Sequence, residues 1–409
     1  MMLIVQKYGG TSLSDASRVK KVAEHVINSA KGGNKVVAIV SAMARETDRL
    51  LKLGNSLVSE GSKISEREMD ALISTGETAS AALLALAIEA SGVEAVSLNA
   101  SQIRIVTDSN HQRARMKYIE TDKIFGELSR DRIVVVAGFQ GVTESGDVTT
   151  IGRGGSDTSA VAVAAAIKAD RCEIYSDVDG LFSADPNICP SAKKIDRISY
   201  EELLETAGAG AKVVHMHAVE LAAKEGVTLQ LKKSPSVEKT AGTGTIVARE
   251  DINMDKVLVS TIAHTSNEAK ISLRNVPDKI GIASKLFEPL AAANINVDMI
   301  VQSVASDGTS DISFTIPKPD LKKAMQFTEI QARKIGAGKV EMAADVAKIS
   351  IVGIGMRSHA GIAAKMFDAL AKEGVDIQMI STSEIKVSVV VDSKFMEKAV
   401  NVLHNAFIA

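Results

Sequence analysis

Residues 281–300, GIASKLFEPLAAANINVDMI, lie over residues 361–380, GIAAKMFDALAKEGVDIQMI, with nine of twenty positions identical and no gap. Gly281/Gly361, Lys285/Lys365, Phe287/Phe367, Leu290/Leu370 and Met299/Met379 are among the matches. A chain that repeats itself at an offset of 80 residues must fold that stretch twice in the same way. Each copy reads as a turn, an amphipathic helix and a strand. A β-rich run follows (TSDISFTI, EIKVSVVV) and a strand precedes (AKISLRNV, AKISIVGIG). The pattern predicts a βαββ-type unit used twice, beginning near residue 256. Two small paired modules on a larger body suit ligand sensing, because a small molecule can order the interface between them; a duplicated dimerisation domain is the plainer alternative. The turns VPDKIG and MRSHAG lead into helix starts whose free N–H groups suit a carboxylate, which favours sensing.

The first 245 or so residues alternate differently. LIVQKYG, KVVAIVSAM, VEAVSL, RIVVVAGF and RCEIYSDV are β-branched apolar runs separated by amphipathic or alanine-rich helical patterns. Such alternation predicts a parallel-type α/β sheet with helices on both faces and ligands beyond the carboxyl ends of its strands. The 48 basic and 50 acidic residues are interspersed, so neither a nucleic-acid face nor a membrane-binding patch is expected. The two cysteines, Cys172 and Cys189, build neither a disulfide framework nor a metal cluster and fit a reducing cytoplasm. The opening MMLIVQKYGG is too short for a signal-peptide core, and the apolar run AALLALAI at 81–88 is cut short by Glu89, so no membrane span is expected.

Five stretches carry candidate chemistry. KYGGTS (7–12) sets Lys7 beside Gly9 and Gly10 after the first strand, a phosphate-binding arrangement unless Lys7 is merely a solvated strand end. IGRGGSDTSAVAVAAAI (151–167) places three glycines, Arg153 and Asp157 ahead of a helix. It resembles an anion loop, yet it lacks the Gly-Lys-Ser/Thr ending of a P-loop and carries an acid that a bare anion cradle would not need. YSDVDGLFSADP (175–186) offers Asp177, Asp179 and Asp185 for magnesium on a polyphosphate; a plain Asp-Gly turn explains Asp179 better than Asp177. Glu77, in STGETASAALL, is either a helix-capping carboxylate or a ligand group, and SAMARETD (41–48) either a cap or a substrate contact.

These motifs, with REMDALISTGE (67–77), AGFQG (137–141), TTIGRGGSDTSAV (149–161), EIYSDVDG (173–180), GAKVVH (210–215), NINVDMIVQ and STSEI, resemble those of the monofunctional aspartate kinases, a branch of the amino acid kinase family carrying two ACT domains. The resemblance runs nearly end to end. It implies a three-layer α/β kinase body over 1–245, an ACT domain of βαββαβ, ferredoxin-like form over 266–342, and a second over 343–409 that borrows the strand 256–265. The implied reaction moves the ATP γ-phosphoryl group to the side-chain carboxylate of L-aspartate. A carboxylate is already a nucleophile, so no general base is required and catalysis reduces to positioning and charge stabilisation.

Carried over by resemblance, Lys7, Gly9, Gly10 and Asp177 form the catalytic set. Tyr8, Ser176, Phe182, Ser183, Asp185 and Lys212 join Lys7, Gly9, Gly10 and Asp177 around ATP, whose phosphates carry magnesium without a dedicated protein metal site. Arg153 clamps the α-carboxylate, Asp157 and Glu77 face the α-ammonium, and Ser41, Thr47, Gly154 and Ser156 complete the substrate pocket. Effector positions for lysine, threonine or both are Asp278, Gly281, Ile282, Ala283, Asn296, Asp298 and Gln302 in the first module. In the second they are Ile362, Ala363, Asp376, Ile377, Ser383 and Glu384. Sites between ACT copies imply at least a dimer.

The sequence departs from the family pattern at Arg104, where glycine is usual, at Asn187 after ADP, at Met216 and His217, and in LKKSPS (231–236). A kinase for another amino-acid carboxylate and a non-catalytic ACT sensor are the competing readings. GRGGSD with Glu77 and the ACT pair disfavour the first, and intact Lys7, Arg153 and Asp177 disfavour the second. The length leaves no room for a fused homoserine dehydrogenase.

Overall fold

A computed structural model describes residues 1–57, 64–211, 214–235, 243–250, 258–304 and 308–408. They form two compact units, Met1–Leu181 with Lys194–Ala207 and Lys212–Asp251, and Phe182–Lys193 with Gly208–Ala211 and Ile252–Ala409.

The strands of the first unit are β1 (Leu3–Tyr8), β2 (Lys35–Val40), β3 (Ala95–Leu98), β4 (Ile105–Thr107), β5 (Met116–Ile119), β6 (Ile133–Ala137), β7 (Gln140–Val142), β8 (Val148–Thr150), β9 (Arg171–Ser176), β10 (Arg197–Ser199), β11 (Leu229–Lys233) and β12 (Thr245–Ala248). Its helices are α1 (Ala16–Lys31), α2 (Glu46–Ser56), α3 (Glu66–Ile73), α4 (Thr75–Glu89), α5 (Asp122–Leu128), α6 (Gly155–Ala166), α7 (Tyr200–Gly208) and α8 (Met216–Glu225). Among the described residues the large sheet runs β10–β12–β11–β9–β1–β2–β6–β3, parallel except at β11/β12. All five expected strands lie in it. Val36–Val40 and Ile133–Ala137 are buried without interruption, the mark of strands covered on both faces. α1 shows the complementary pattern. Asp15 caps it by accepting from Arg18 N at 2.9 Å, and Val19, Val22, Ala23, Val26 and Ile27 form its buried stripe. Each of the larger side chains contributes roughly 1.5–3 kcal/mol relative to exposure.

Register aligns the functional turns. Tyr8 pairs with Val40 on one side and Tyr175 on the other, so KYGG, SAMA and SDVD leave the sheet side by side at its carboxyl edge. A small sheet, β5–β4–β7–β8, brings the GRGG loop from the end of β8. Arg104, just before β4, sits at φ 42°, the left-handed backbone that accounts for glycine at that place in the family.

The stretch Glu66–Glu89, α3 followed directly by α4, is long and apolar enough to cross a membrane by length and composition. A core helix has the same length and composition, so the expectation of no membrane span is not overturned. Half of the window is buried, and Ala81, Leu84, Ala85 and Ile88 of α4 belong to the core of this unit.

The second unit contains β13 (Thr261–Pro277), α9 (Ile282–Ala292), β14 (Asp298–Val304), β15 (Thr309–Pro317), α10 (Leu321–Ile335), β16 (Val340–Val352), α11 (Ile362–Lys372), β17 (Met379–Thr382), β18 (Lys386–Asp392) and α12 (Met396–Phe407). Its sheet, β14–β15–β13–β16–β18–β17, reads the same from either edge, as the repeat requires. One apolar core gathers Ile271, Leu286, Leu290 and Phe314, and the other Ile349, Met366, Leu370 and Val389, at matching positions. β13 runs unbroken across the expected 265/266 boundary: Thr261–Thr265 pair with Lys348–Val352, and from Glu268 onward it pairs with β15 on one side and with Val346 and Val340–Ala343 on the other. Residues 256 and 257 of the expected strand lie outside the described residues.

Two repeat-related lysines cross the seam between modules. Lys270 donates to Gln378 Oε1 at 2.7 Å, and Lys348 pairs with Asp298 and stands 3.8 Å from Glu268. Phe182–Lys193 packs with this unit although it falls inside the expected 1–245 body. Ala184 and Cys189 join the core with Ile349 and Leu403, and Ser183 Oγ bonds His404 Nε2 at 2.9 Å and accepts from Lys193 N at 2.8 Å.

Candidate active site

One cavity at the carboxyl edge of the large sheet is lined by Lys7, Ser41, Ala42, Thr47, Glu77, Phe139 and Gly152–Asp157. It gathers all seven residues expected around the amino-acid substrate, together with Lys7. Lys7 Nζ lies 2.6 Å from Asp157 Oδ1. Arg153 is exposed and makes no ion pair with the described residues. Glu77, in the first turn of α4, is buried; its Oε1 accepts from Ala42 N at 3.1 Å and its Oε2 has no partner. It therefore reaches across to the 41–48 turn. Burial pushes its carboxyl up to about 7, opposed by the Ala42 N–H.

Close backbone approach shapes the walls. A Cβ on Gly10 would stand 2.6 Å from Ala42 O, so this glycine lets KYGG pack on the neighbouring turn. Gly154 caps α6 at φ 74°, and a Cβ there would stand 2.1 Å from His215 Cγ. Phe139 lines the cavity with φ 66°, a strained conformation for an aromatic residue, held by Ser159 Oγ accepting from its N at 3.0 Å. Ala42, Phe139, Gly152 and Gly155 are absent from the expected pocket. Neither a backbone donor nor a strained dihedral leaves a signal in residue type, whereas Gly152 and Gly155 were visible as glycines of the loop.

The nucleotide candidates disperse. Tyr8 is buried and stacked on Tyr175 at 4.9 Å, its hydroxyl donating to Gln6 Oε1 at 3.1 Å. Gly9 follows Tyr8 directly after β1, and Ser176 ends β9, its hydroxyl 3.3 Å from Val178 O. Asp177 is exposed, whereas Asp179 pairs with Lys194 at 3.2 Å beside Gly180, which has φ 86°. Phe182, Ser183 and Asp185 belong to the second unit, where Asp185 Oδ1 accepts from Asn187 N at 2.9 Å and Nδ2 at 3.0 Å. That turn gives Asn187 a local structural role. Lys212 lies outside the described residues. No cluster of three potential metal ligands occurs among the described residues.

The effector candidates fall at corresponding places. Gly281 and Gly361 cap α9 and α11 with φ 86° and 91°, leading into Ile282, Ala283, Ile362 and Ala363. Asp278 is exposed just before the Gly281 turn, Asn296 and Asp376 are exposed beyond the C-terminal ends of α9 and α11, and Ile377 is half-buried. Asp298 is engaged by Lys348, Gln302 Nε2 donates to Ser310 Oγ at 3.3 Å, Ser383 N donates to Lys386 O at 2.8 Å, and Glu384 pairs with Arg357 at 3.4 Å.

Residues 2–233 match the amino acid kinase family, and 271–328 with 349–407 match the ACT domain. The aspartokinase of Pseudomonas aeruginosa is 48% identical over 407 residues, spanning 100% of this chain and 98% of its own length. The chain belongs to the aspartokinases. The aspartate kinase of Clostridium acetobutylicum superposes with a TM-score of 0.83 at 27% identity, covering 99% of this chain and 100% of its own. Aspartokinase III of E. coli shares the fold at 23% identity, with full coverage of both chains; its complex with aspartate and ADP has a TM-score of 0.76 and its complex with lysine and aspartate 0.81. Like other aspartokinases, this enzyme is an ATP-dependent phosphotransferase acting on the aspartate carboxylate. The cavity chemistry suits that substrate class: Lys7 and Arg153 for anions, and Glu77 with Asp157 for a cation, within one enclosure.

Proposed function

We propose that this cavity seats L-aspartate, with Arg153 on its α-carboxylate and Glu77 and Asp157 on its α-ammonium. Ser41, Thr47, Gly154 and Ser156 enclose it. The observation that carries the reading is the buried, unpartnered Glu77 Oε2 in a cavity that also holds a free guanidinium. Such an orphan acceptor is costly unless a donor arrives with the ligand. Lys7 then leaves Asp157 to stabilise the transferring phosphoryl group, assisted by the backbone of Gly9 and Gly10. The aspartate side-chain carboxylate attacks the γ-phosphorus, the bond to the β,γ-bridging oxygen breaks, and ADP leaves with 4-phospho-L-aspartate formed. Tyr8, Ser176, Asp177, Phe182, Ser183, Asp185 and Lys212 are assigned to the nucleotide. Magnesium, when bound, neutralises the polyphosphate, and exposed Asp177 is the acid suited to hold it through water.

The proposed kinase body is 1–245 and the proposed regulatory modules are 266–342 and 343–409 with 256–265, a division supported by the family matches. Lysine, threonine or both act on the module positions above, in an assembly of at least two chains in the cytoplasm. The reaction opens lysine, threonine and methionine biosynthesis.

Trapping the acyl phosphate with hydroxylamine tests the substrate. Aspartate is expected to react and glutamate to fail; turnover of glutamate alone overturns the reading. Lys7→Ala is expected to lower kcat by about a thousandfold or more with aspartate binding partly kept, and Arg153→Ala to raise the aspartate KM by about tenfold or more.

A further inference from the structure

Two buried side chains outside the cavity fasten its walls to each other. Asp70, on α3, is wholly buried. Its carboxylate accepts from Thr150 Oγ1 at 2.6 Å, Thr150 N at 3.1 Å, Gln112 N at 2.9 Å and His111 Nδ1 at 2.9 Å. An ionised carboxylate only accepts, so the imidazole is the donor. Gln140, on β7, donates to Ser74 O at 2.5 Å and Thr78 Oγ1 at 2.9 Å. Gln140 and Thr150 are paired across the β7/β8 hairpin, so both clamps grip the α3–α4 segment from one rung.

Their positions along the chain matter. Ser74 stands three residues before Glu77, and Thr150 three residues before Arg153. Asp70 also holds Gln112, whose carbonyl lies 2.9 Å from where a Cβ on Gly152 would stand. The group expected to read the substrate's positive end and the group expected to read its negative end are thus tied to one buried hub. An apolar contact would glue helix to hairpin equally well, whereas four directional bonds fix their offset.

We propose that Asp70 is a positioning residue for the amino-acid substrate, setting the separation of Arg153 from Glu77 and hence the length of amino acid that is phosphorylated. This rests on the reading of the cavity as the aspartate site. One methylene is worth only about 10–200-fold in discrimination, so a slight shift of one wall erodes it.

Steady-state kinetics of the full chain test the inference, with aspartate, glutamate and ATP each varied for wild type, Asp70→Asn, Thr150→Val and Arg153→Ala. Asp70→Asn is expected to raise the aspartate KM by about tenfold and to shrink the aspartate-to-glutamate ratio of kcat/KM by about tenfold, with the ATP KM within about twofold. Thr150→Val, which deletes a single bond of the hub, moves the same quantities less. If Asp70→Asn does not fold, Thr150→Val decides alone. Lower melting temperature and lower kcat with unchanged KM values and an unchanged ratio would mean that Asp70 is structural glue, and would overturn the proposal. Arg153→Ala separates the two failures. An unchanged aspartate KM there removes the site reading itself, whereas a raised one beside unmoved Asp70 and Thr150 variants removes only the positioning role.

Discussion

Glu77 is where occupancy of the cavity and protonation meet. Burial lifts its carboxyl from an ordinary 4.5 to about 7 in the substrate-free protein. The folded form therefore keeps a proton that the unfolded chain releases near pH 4.5. The stability from this group is complete below 4.5 and is lost as pH rises through 7, a change of about 3 kcal/mol at most. Denaturant midpoints of the substrate-free protein measured between pH 4.5 and 7 are expected to fall, and Glu77→Gln to remove that part of the slope. An ammonium against Oε2 favours the charged form, so aspartate binding at pH 6 is expected to expel a proton. Calorimetry in buffers of different ionisation enthalpy reads this directly, and equal enthalpies in all buffers would refute it. Lys7, Arg153 and Asp157 were legible in the sequence because charges beside glycine-rich turns have little structural reason to be there. Glu77's partner was not, since a helix-cap reading looks only along its own helix whereas Ala42 N is 35 residues away. Asp70 was hidden similarly, its donors lying on a loop and on β8, both distant in sequence.

At the scale of elements, the turn into α6 is the least tolerant piece. Gly154→Ala meets both a positive φ and the His215 ring, for an expected loss of roughly 2–4 kcal/mol with a raised aspartate KM. Gly33→Ala is the control: φ is 85° there too, but nothing lies within 4 Å, so about 1 kcal/mol and unchanged kinetics are expected. Thermal melting and aspartate titrations of the two variants side by side check the contrast. The long strands and the alanine-rich helices were readable from unbroken apolar runs, because both faces of that sheet are covered. The three-residue strands β4, β7 and β8 were not, being too short to show any period, and yet they position the GRGG loop.

In the molecule as a whole, the repeat announced two modules but not the manner of their joining. β13 and β16 meet as the central antiparallel pair, and Lys270 and Lys348 each cross to the other module. Lys348→Met leaves Glu268 and Asp298 without their cation, so the second unit is expected to melt earlier while the aspartate KM is unchanged; scanning calorimetry with kinetics on one preparation checks both. The recruitment of Phe182–Lys193 was invisible in the sequence, because a loop's packing partners leave no mark on its own composition. The mirrored strand order has a consequence for fragments. A piece carrying only one module would expose along its bare seam the donors and acceptors that its duplicate once satisfied, and an antiparallel edge is complementary to itself. Each half-unit thus carries a template for pairing with its own copy, so a truncated regulatory region should be recovered as a symmetric pair in place of a lone domain.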